Sequence, residues 1–442
     1  MSNYQVPQEI LDVIVRDVRF PTSLSGDGSD AIHKDPDYSA VYVQLKTDVD
    51  DRSGYGLSFT LGRGNEIVKC AVESMKFLVI GQKISTIQNS MGKWVNSISN
   101  EGQLRWLGPD KGVLSLALAA IVNAFWDLWG KMEGKPVWKP LADMSPQDIV
   151  SLVNFKYLED ALSPHEALQI LKKAKEGSDK REKEILDRGF PAYTTQVGWM
   201  GYSDEKIRSL AKEFMAKGFT AYKMKVGRDL SDDKRRLRVI RDIIGPDSKL
   251  MVDANQVWGV QEAIDWMKEL SEFQITWIEE PTSPDDILGH ITIRRALEPF
   301  KIGIATGEVC QNRVMFKQFL SSGAMQYCQI DAARMVGLND ALAVYLMAYK
   351  FKVPVCPHAG GVGLCEMVQH LQVFDYVSLS GTFENRMIEC VDHLHEHFKY
   401  PPVIGKSVYY PPMDPGYSTQ FKKSSVEDYE FPSGRIWKEL KK

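Results

Sequence analysis

The chain has 442 residues, 44% hydrophobic and 25% charged, with a formal net charge of -4, which supplies enough apolar material for a large core. Acids and bases are interspersed, with no basic stripe suited to a phosphate backbone, and clusters such as Lys422-Lys423 read as solvated surface, so nucleic-acid binding has little support. No apolar run reads as long enough to span a bilayer, and the six cysteines include no Cys-x-x-Cys pair, which points to a reducing compartment: the cytoplasm, with the mitochondrion also compatible.

The first ten residues, Met1 to Ile10, show neither a hydrophobic signal core nor the arginine-rich pattern of a transit peptide, so no targeting signal is expected there. Alternating stretches at Val13 to Val18, Ala40 to Leu45 and Gly56 to Leu61 read as a small antiparallel sheet. Between the first two lies Ser23 to His33, rich in glycine, serine and aspartate. That composition suits a mobile loop able to close over a cavity, and equally an ordinary surface turn. The alanine-rich run Leu114 to Trp129 reads as a buried helix, which makes residues 1–145 an α+β domain. The strongly charged stretch Lys172 to Arg188 reads as an exposed helical insertion.

Short apolar runs then recur, each ending in a polar residue: Ala221 to Lys225, Leu250 to Asp253, Ile275 to Glu279, Ile304 to Glu308, Tyr327 to Asp331 and Val353 to His358. The terminal residues are spaced 23 to 29 positions apart. One strand, one helix and two loops of a (β/α)₈ barrel of about 250 residues occupy such an interval. Amphipathic stretches fill the gaps. Ser203 to Gly218 is one complete helix signal, with an N-cap serine, acids in the first turn, apolar Leu210, Ala211, Phe214 and Met215, and a terminating glycine. Tyr193 to Gln196 and Tyr376 to Leu379 bring the strand count to eight. The expected fold is therefore α/β: a (β/α)₈-type barrel over residues 146–392 behind the α+β domain. The turn-rich tail, residues 393–442, is expected to pack back on that domain.

A barrel gathers its strand ends in one ring, on the face where barrel enzymes place their chemistry. Asp253, Glu279 and Glu308 close three consecutive strands, and three monodentate carboxylates with no cysteine or histidine among them suit Mg²⁺ better than zinc. Lys223-Met224-Lys225 puts two lysines on one face of a strand, and the second ammonium is expected to lower the pKa of Lys225 toward that of a general base. Asp331 and His358 end neighbouring strands, so the carboxylate can fix the tautomer of the ring and make His358 an acid or base opposite Lys225. Gly360-Gly361 just beyond allows close approach of a ligand.

These segments, with Val252-Asp253-Ala254-Asn255-Gln256, Trp277-Ile278-Glu279-Glu280-Pro281, Thr306-Gly307-Glu308 and Gln329-Ile330-Asp331, resemble the enolase superfamily in its mandelate-racemase-like subgroup. Within it, Arg19-Phe20-Pro21-Thr22-Ser23, Asp35-Pro36-Asp37-Tyr38-Ser39, Pro281 to His290, His358 to Glu366 and Val391 to Phe398 are similar to the L-fuconate dehydratase group. The resemblance implies a capping domain completed by the C-terminal tail and Mg²⁺ on Asp253, Glu279 and Glu308. It implies Lys225 as base, supported by Lys223, and an acid supplied by His358 with Asp331. Glu389, after the eighth strand, would hydrogen-bond the substrate carboxylate, although Glu384 lies only five residues earlier. Gly28, Ser29, Asp30, Tyr38, Asn255, Ala359 and Gly360 match substrate-contact positions. One departure is Asn255-Gln256-Val257-Trp258, where relatives often carry arginine in place of Val257.

The function so implied is dehydration of a six-carbon sugar acid, L-fuconate first, to a 2-keto-3-deoxy acid. Neither nicotinamide, nucleic acid nor membrane is required, and a homo-oligomer is expected. The same ring also allows dehydration of another acid sugar, or epimerisation or racemisation at carbon 2. A barrel that has become a binding or regulatory protein is the alternative of another class, although every expected catalytic position is filled.

Overall fold

In the computed structural model, which describes residues 6–440, the alternating N-terminal segments form β1 (Ile10–Arg19), β2 (Ser39–Thr47) and β3 (Ser53–Thr60), an antiparallel sheet in that order. The first residues of the stretch read for a targeting signal lie outside the described range. Helix Gly112–Glu133 lies across this sheet so closely that a Cβ on Gly54 or Gly56 would stand 2.1 or 2.2 Å from the carbonyl oxygens of Ala124 and Ala120. Glycine at both positions is the price of that contact. On its other side the helix meets the barrel: Asn123 Nδ2 donates to the Ala332 carbonyl at 2.9 Å and Trp126 Nε1 to Asn339 Oδ1 at 2.9 Å.

This helix corrects the reading that no segment is long and apolar enough to cross a membrane. By length and composition it is, but 83% of its most apolar window is buried inside the fold. A helix covered on several sides needs apolar residues all round, which produces the same composition.

The barrel strands are β4 (Phe190–Thr194), β5 (Ala221–Lys225), β6 (Lys249–Asp253), β7 (Ile275–Glu279), β8 (Gly303–Thr306), β9 (Tyr327–Cys328) and β10 (Ile388–Cys390). Each pairs in parallel with the next from β4 to β9, and β10 pairs with β4. Between β9 and β10 the ring is continued by a single bridge, Val355 to Cys328, and by the His358 N–H donating to the Ile330 carbonyl at 3.0 Å. Pro354 and Pro357 cannot donate to a ladder, so the expected strand over Val353 to His358 reduces to that bridge. The expected strand at Tyr376 to Leu379 is also corrected. Those residues form a π-helical turn extending helix Leu364–Asp375, and the eighth strand is β10, nine residues further on. A short buried apolar run does not distinguish the two by periodicity.

The charged stretch Lys172 to Arg188 is two helices, Pro164–Lys175 and Ser178–Arg188, divided at Gly177 with φ 75°. It is less exposed than its charge suggests: Leu171, Ala174 and Ile185 are buried, and Arg181 donates to the Val377 carbonyl at 2.8 Å. The tail first forms a hairpin, β11 (Val403–Gly405) and β12 (Val408–Tyr410), with β12 antiparallel to β4. It then crosses to the N-terminal domain, where Tyr42 Oη accepts from the Phe421 N–H and Asp127 accepts from the Tyr417 N–H. Inside the barrel, Tyr193, Met251 and Trp277 pack with Ala221, Ala305 and Cys356 in a buried apolar cluster beneath the strand ends.

Candidate active site

On β5 the alternation of the strand turns Lys223 and Lys225 to the barrel axis and Met224 into the surrounding shell. Lys223 Nζ lies 2.7 Å from Glu279 Oε1, 2.8 Å from Glu389 Oε1 and 5.5 Å from the centroid of the Tyr193 ring, which forms its floor. Lys225 Nζ donates to Asp253 Oδ2 at 2.6 Å and Asn255 Oδ1 at 3.0 Å. Burial alone would lower both lysines. The carboxylates of Glu279 and Glu389 around Lys223, and of Asp253 against Lys225, outweigh it and hold both above the ordinary range. This corrects the expectation of a depressed Lys225: the Lys223 ammonium does push it down, but Asp253 is stronger.

Asp253, Glu279 and Glu308 each offer an oxygen within 4.8 Å of the others. Burial, and next the charge of Asp253, push Glu279 up. Burial also pushes Asp253 up, but Lys225 and Lys223 outweigh it and hold Asp253 down. Gln329 Nε2 donates to Glu279 Oε2 at 2.6 Å and the Asn255 N–H to Asp253 Oδ1 at 2.9 Å, so two of the three carboxylates are oriented from behind. Crowded carboxylates with oxygen donors only, in a buried place, fit a hard divalent cation that would relieve their repulsion.

Across the cavity, His358 Nδ1 is 2.9 Å from Asp331 Oδ2, and Nε2 faces Glu308 at 3.6 Å. Burial pulls the ring pKa down; Glu308 and Asp331 more than offset it and raise it to about 10. These carboxylates favour the imidazolium, with Nε2 turned inward toward Glu308. Glu389 is buried and accepts from the amides of Ala359 at 2.8 Å and Gly360 at 3.1 Å as well as from Lys223, and it is ionised because Lys223 outweighs burial. Glu384 is exposed on the turn before β10 and does not line the cavity, so the two glutamates are told apart by position.

The cavity, about 430 Å³, is lined by Gly28, Asp30, Tyr38, Lys223, Lys225, Asn255, Glu308, His358, Gly360 and Glu389 among the expected residues. Asp331 sits behind His358, and Asp253 and Glu279 lie buried below. Ser29 does not line it. Its hydroxyl donates to the Met200 carbonyl at 2.8 Å and its own carbonyl accepts from the Met200 N–H at 3.0 Å, which clips the loop to the barrel. Ala359 serves through its amide. Gly28, with φ 82°, lies so close to Tyr38 that a Cβ would be 2.5 Å from the phenol oxygen. Val257 does not line the cavity: its side chain faces Gly227.

Sequence reasoning missed the rest of the lining, including Ile32, His33, Phe59, Leu61, Leu116, Thr195, Trp199, Gln256, Val309 and Arg334. Thr195 was recoverable, since it directly follows the first barrel strand, at the same barrel face as the assigned residues. Those from the N-terminal domain carry no motif.

The family model for an enolase C-terminal domain-like unit matches residues 206–425. The chain is 56% identical over 427 residues to mitochondrial enolase superfamily member 1 of Xenopus laevis, covering 96% of each chain. It is 52% identical over 420 residues to L-galactonate dehydratase of Hypocrea jecorina, covering 94% of this chain and 93% of that one. Among solved structures, human mitochondrial enolase superfamily member 1 superposes with a TM-score of 0.97 at 54% identity, covering 98% of this chain and 99% of the other. A racemase from Streptomyces coelicolor with bound magnesium shares the fold, with a TM-score of 0.72 at 24% identity over 95% of this chain and 99% of the other.

Proposed function

The chain belongs to the enolase superfamily, and from that premise we propose that it is a Mg²⁺-dependent dehydratase of six-carbon sugar acids of the L-galacto series. The observation that carries this reading is one cavity holding Lys225 on one side, the His358–Asp331 pair on another, and a carboxylate trio beneath. Mg²⁺ held by Asp253, Glu279 and Glu308 would supply positive charge for the substrate carboxylate and for the enediolate it becomes.

The chain's own groups do the rest. Once Asp253 no longer holds its ammonium and that ammonium has released a proton to solvent, Lys225 as the neutral amine removes the proton from carbon 2. His358 passes its Nε2 proton to the hydroxyl leaving carbon 3, and Asp331 stabilises the charge on the ring and keeps it oriented. Lys223 donates toward the substrate carboxylate. A second anion seated there favours the protonated form of Glu389, which then donates as well. The enol left by loss of water tautomerises to the 2-keto-3-deoxy acid, with no net redox change. Tyr38, Phe59 and Trp199 present aromatic rings to the cavity.

For the substrate, two lines converge. The local motifs resemble L-fuconate dehydratases, and a relative 52% identical is named L-galactonate dehydratase. L-fuconate is 6-deoxy-L-galactonate, so the two acids share their configuration from carbon 2 to carbon 5. L-fuconate would give 2-keto-3-deoxy-L-fuconate. Homo-oligomeric assembly is expected of the enzyme, and the relatives' name makes the mitochondrion a compartment to test by fractionation alongside the cytosol.

The test is a screen of aldonic acids with Mg²⁺, reading 2-keto-3-deoxy product as its semicarbazone, with a chelator control and Lys225→Ala alongside. Chelator-sensitive product from an L-galacto acid, lost in the variant, is expected. Exchange of the carbon-2 proton without loss of water would replace the dehydratase by an epimerase.

A further inference from the structure

Arg334 stands three residues past Asp331, ahead of helix Gly337–Lys350, and its side chain lines the same cavity as Lys225, Glu308 and His358. Its origin is fixed. The Ala333 N–H donates to Asp331 Oδ1 at 2.7 Å, so the turn that carries Arg334 is the one that sets Asp331 behind His358. Val309, from the loop after β8, shares the cavity wall with Arg334.

The guanidinium differs from the other cations here. Lys223 and Lys225 are both in short ion pairs, whereas Arg334 Nε is buried without a hydrogen-bond partner and no ion pair among the described residues involves Arg334. A buried donor left open is costly, and in a cavity of this kind the missing acceptor is most simply a ligand atom. The reactive end of a sugar acid leaves nothing for Arg334: its carboxylate, carbon 2 and carbon 3 fall to Lys223, Lys225 and His358. Of the remaining lining, Ile32, Leu61, Leu116 and Val309 are apolar, and the polar His33, Thr60 and Gln256 are already paired with Asp30, Asn65 and Glu280, which leaves Arg334 and the short Thr195 hydroxyl as open donors. Apolar side chains accept a methyl group readily, but they cannot bind a hydroxyl.

We propose that Arg334 is a specificity-determining residue that donates to the carbon-6 hydroxyl of L-galactonate, and so sets the preference for a terminal hydroxyl over the terminal methyl of L-fuconate. This rests on the dehydratase reading above. The planar fork of an arginine holds two donors in fixed directions, which suits a hydroxyl at the end of a flexible chain better than a lysine would.

The experiment measures kcat and KM of the full chain with Mg²⁺ on both acids, for the unchanged enzyme, Arg334→Met and Arg334→Lys. In Arg334→Met the ratio of kcat/KM for L-galactonate to that for L-fuconate should fall at least tenfold, mainly through KM, and Arg334→Lys should recover part of it. An equal fall on both acids, or no change in the ratio, would overturn the proposal. If Arg334→Met fails to fold by circular dichroism, Arg334→Lys and Arg334→Gln are judged by the same ratio. If the unchanged enzyme turns over neither acid, the dehydratase reading fails on its own account. Calorimetric binding of the two acids to unchanged and variant protein then decides Arg334 separately.

Discussion

At the scale of single residues, the site is a set of charges that oppose one another until a cation and a substrate enter. Lys225 illustrates this: the sequence suggests a depressed amine beside a second ammonium, while 2.6 Å to Asp253 raises it. Lys225→Ala should lower kcat by about 10³-fold, within the range of general-base removal, with the fold unchanged by circular dichroism. Asp331→Asn should leave KM within about threefold and lower kcat about 10²-fold, because the ring loses its orienting charge.

Away from the site, His370 is fully buried, its Nδ1 accepting from the Trp138 N–H at 3.3 Å and its Nε2 placed 3.1 Å from Ser418 Oγ. Burial pushes its pKa down to about 3. Below the unfolded value the denatured chain takes up a proton that the fold refuses, so stability is lost as pH falls from that value toward about 3. The loss is about 1.4 kcal/mol per pH unit for one such group. Melting curves between pH 7 and pH 5 should show it, and His370→Gln should flatten the dependence. The carboxylate trio, the Lys-x-Lys pair and the His358–Asp331 pair were legible because each closes an apolar run at a regular interval. Arg334 and Ile32 were not, since their place depends on how a turn and a loop are folded.

At the scale of elements, the contact between β3 and helix Gly112–Glu133 joins sheet, helix and barrel. Gly56 lets the helix backbone approach, and a side chain there would meet the Ala120 carbonyl and the Ala124 backbone. Gly56→Val should cost about 3 kcal/mol or more, at the upper end of overpacking penalties, and lower the thermal midpoint. Activity should fall with it, since Phe59 on the same strand lines the cavity. The first six barrel strands could be read from apolar runs with polar ends. The seventh and eighth could not. Two prolines reduce the seventh to a bridge, and the eighth is so short that Glu389 was placed by resemblance, while a buried run at Tyr376 mimicked a strand.

At the scale of the whole molecule, the N-terminal domain covers the barrel mouth and the tail ties the two together, so the cavity exists only in the complete fold. Loop residues Gly28, Asp30 and His33 face Lys225 and His358 across that cavity, and the Ser29 clip to Met200 holds them there. Binding of Mg²⁺ to the native carboxylate trio stabilises only the folded chain, so added Mg²⁺ should raise the thermal midpoint in a concentration-dependent way and a chelator should reverse it. Glu279→Gln should remove most of that rise.

The most direct test of the central claim is proton NMR of L-galactonate and L-fuconate incubated with the enzyme and Mg²⁺ in deuterium oxide. Loss of the carbon-2 signal is expected together with the appearance of a 2-keto-3-deoxy product, both abolished by chelator. Recovery of both acids intact with their carbon-2 protons unexchanged would contradict it.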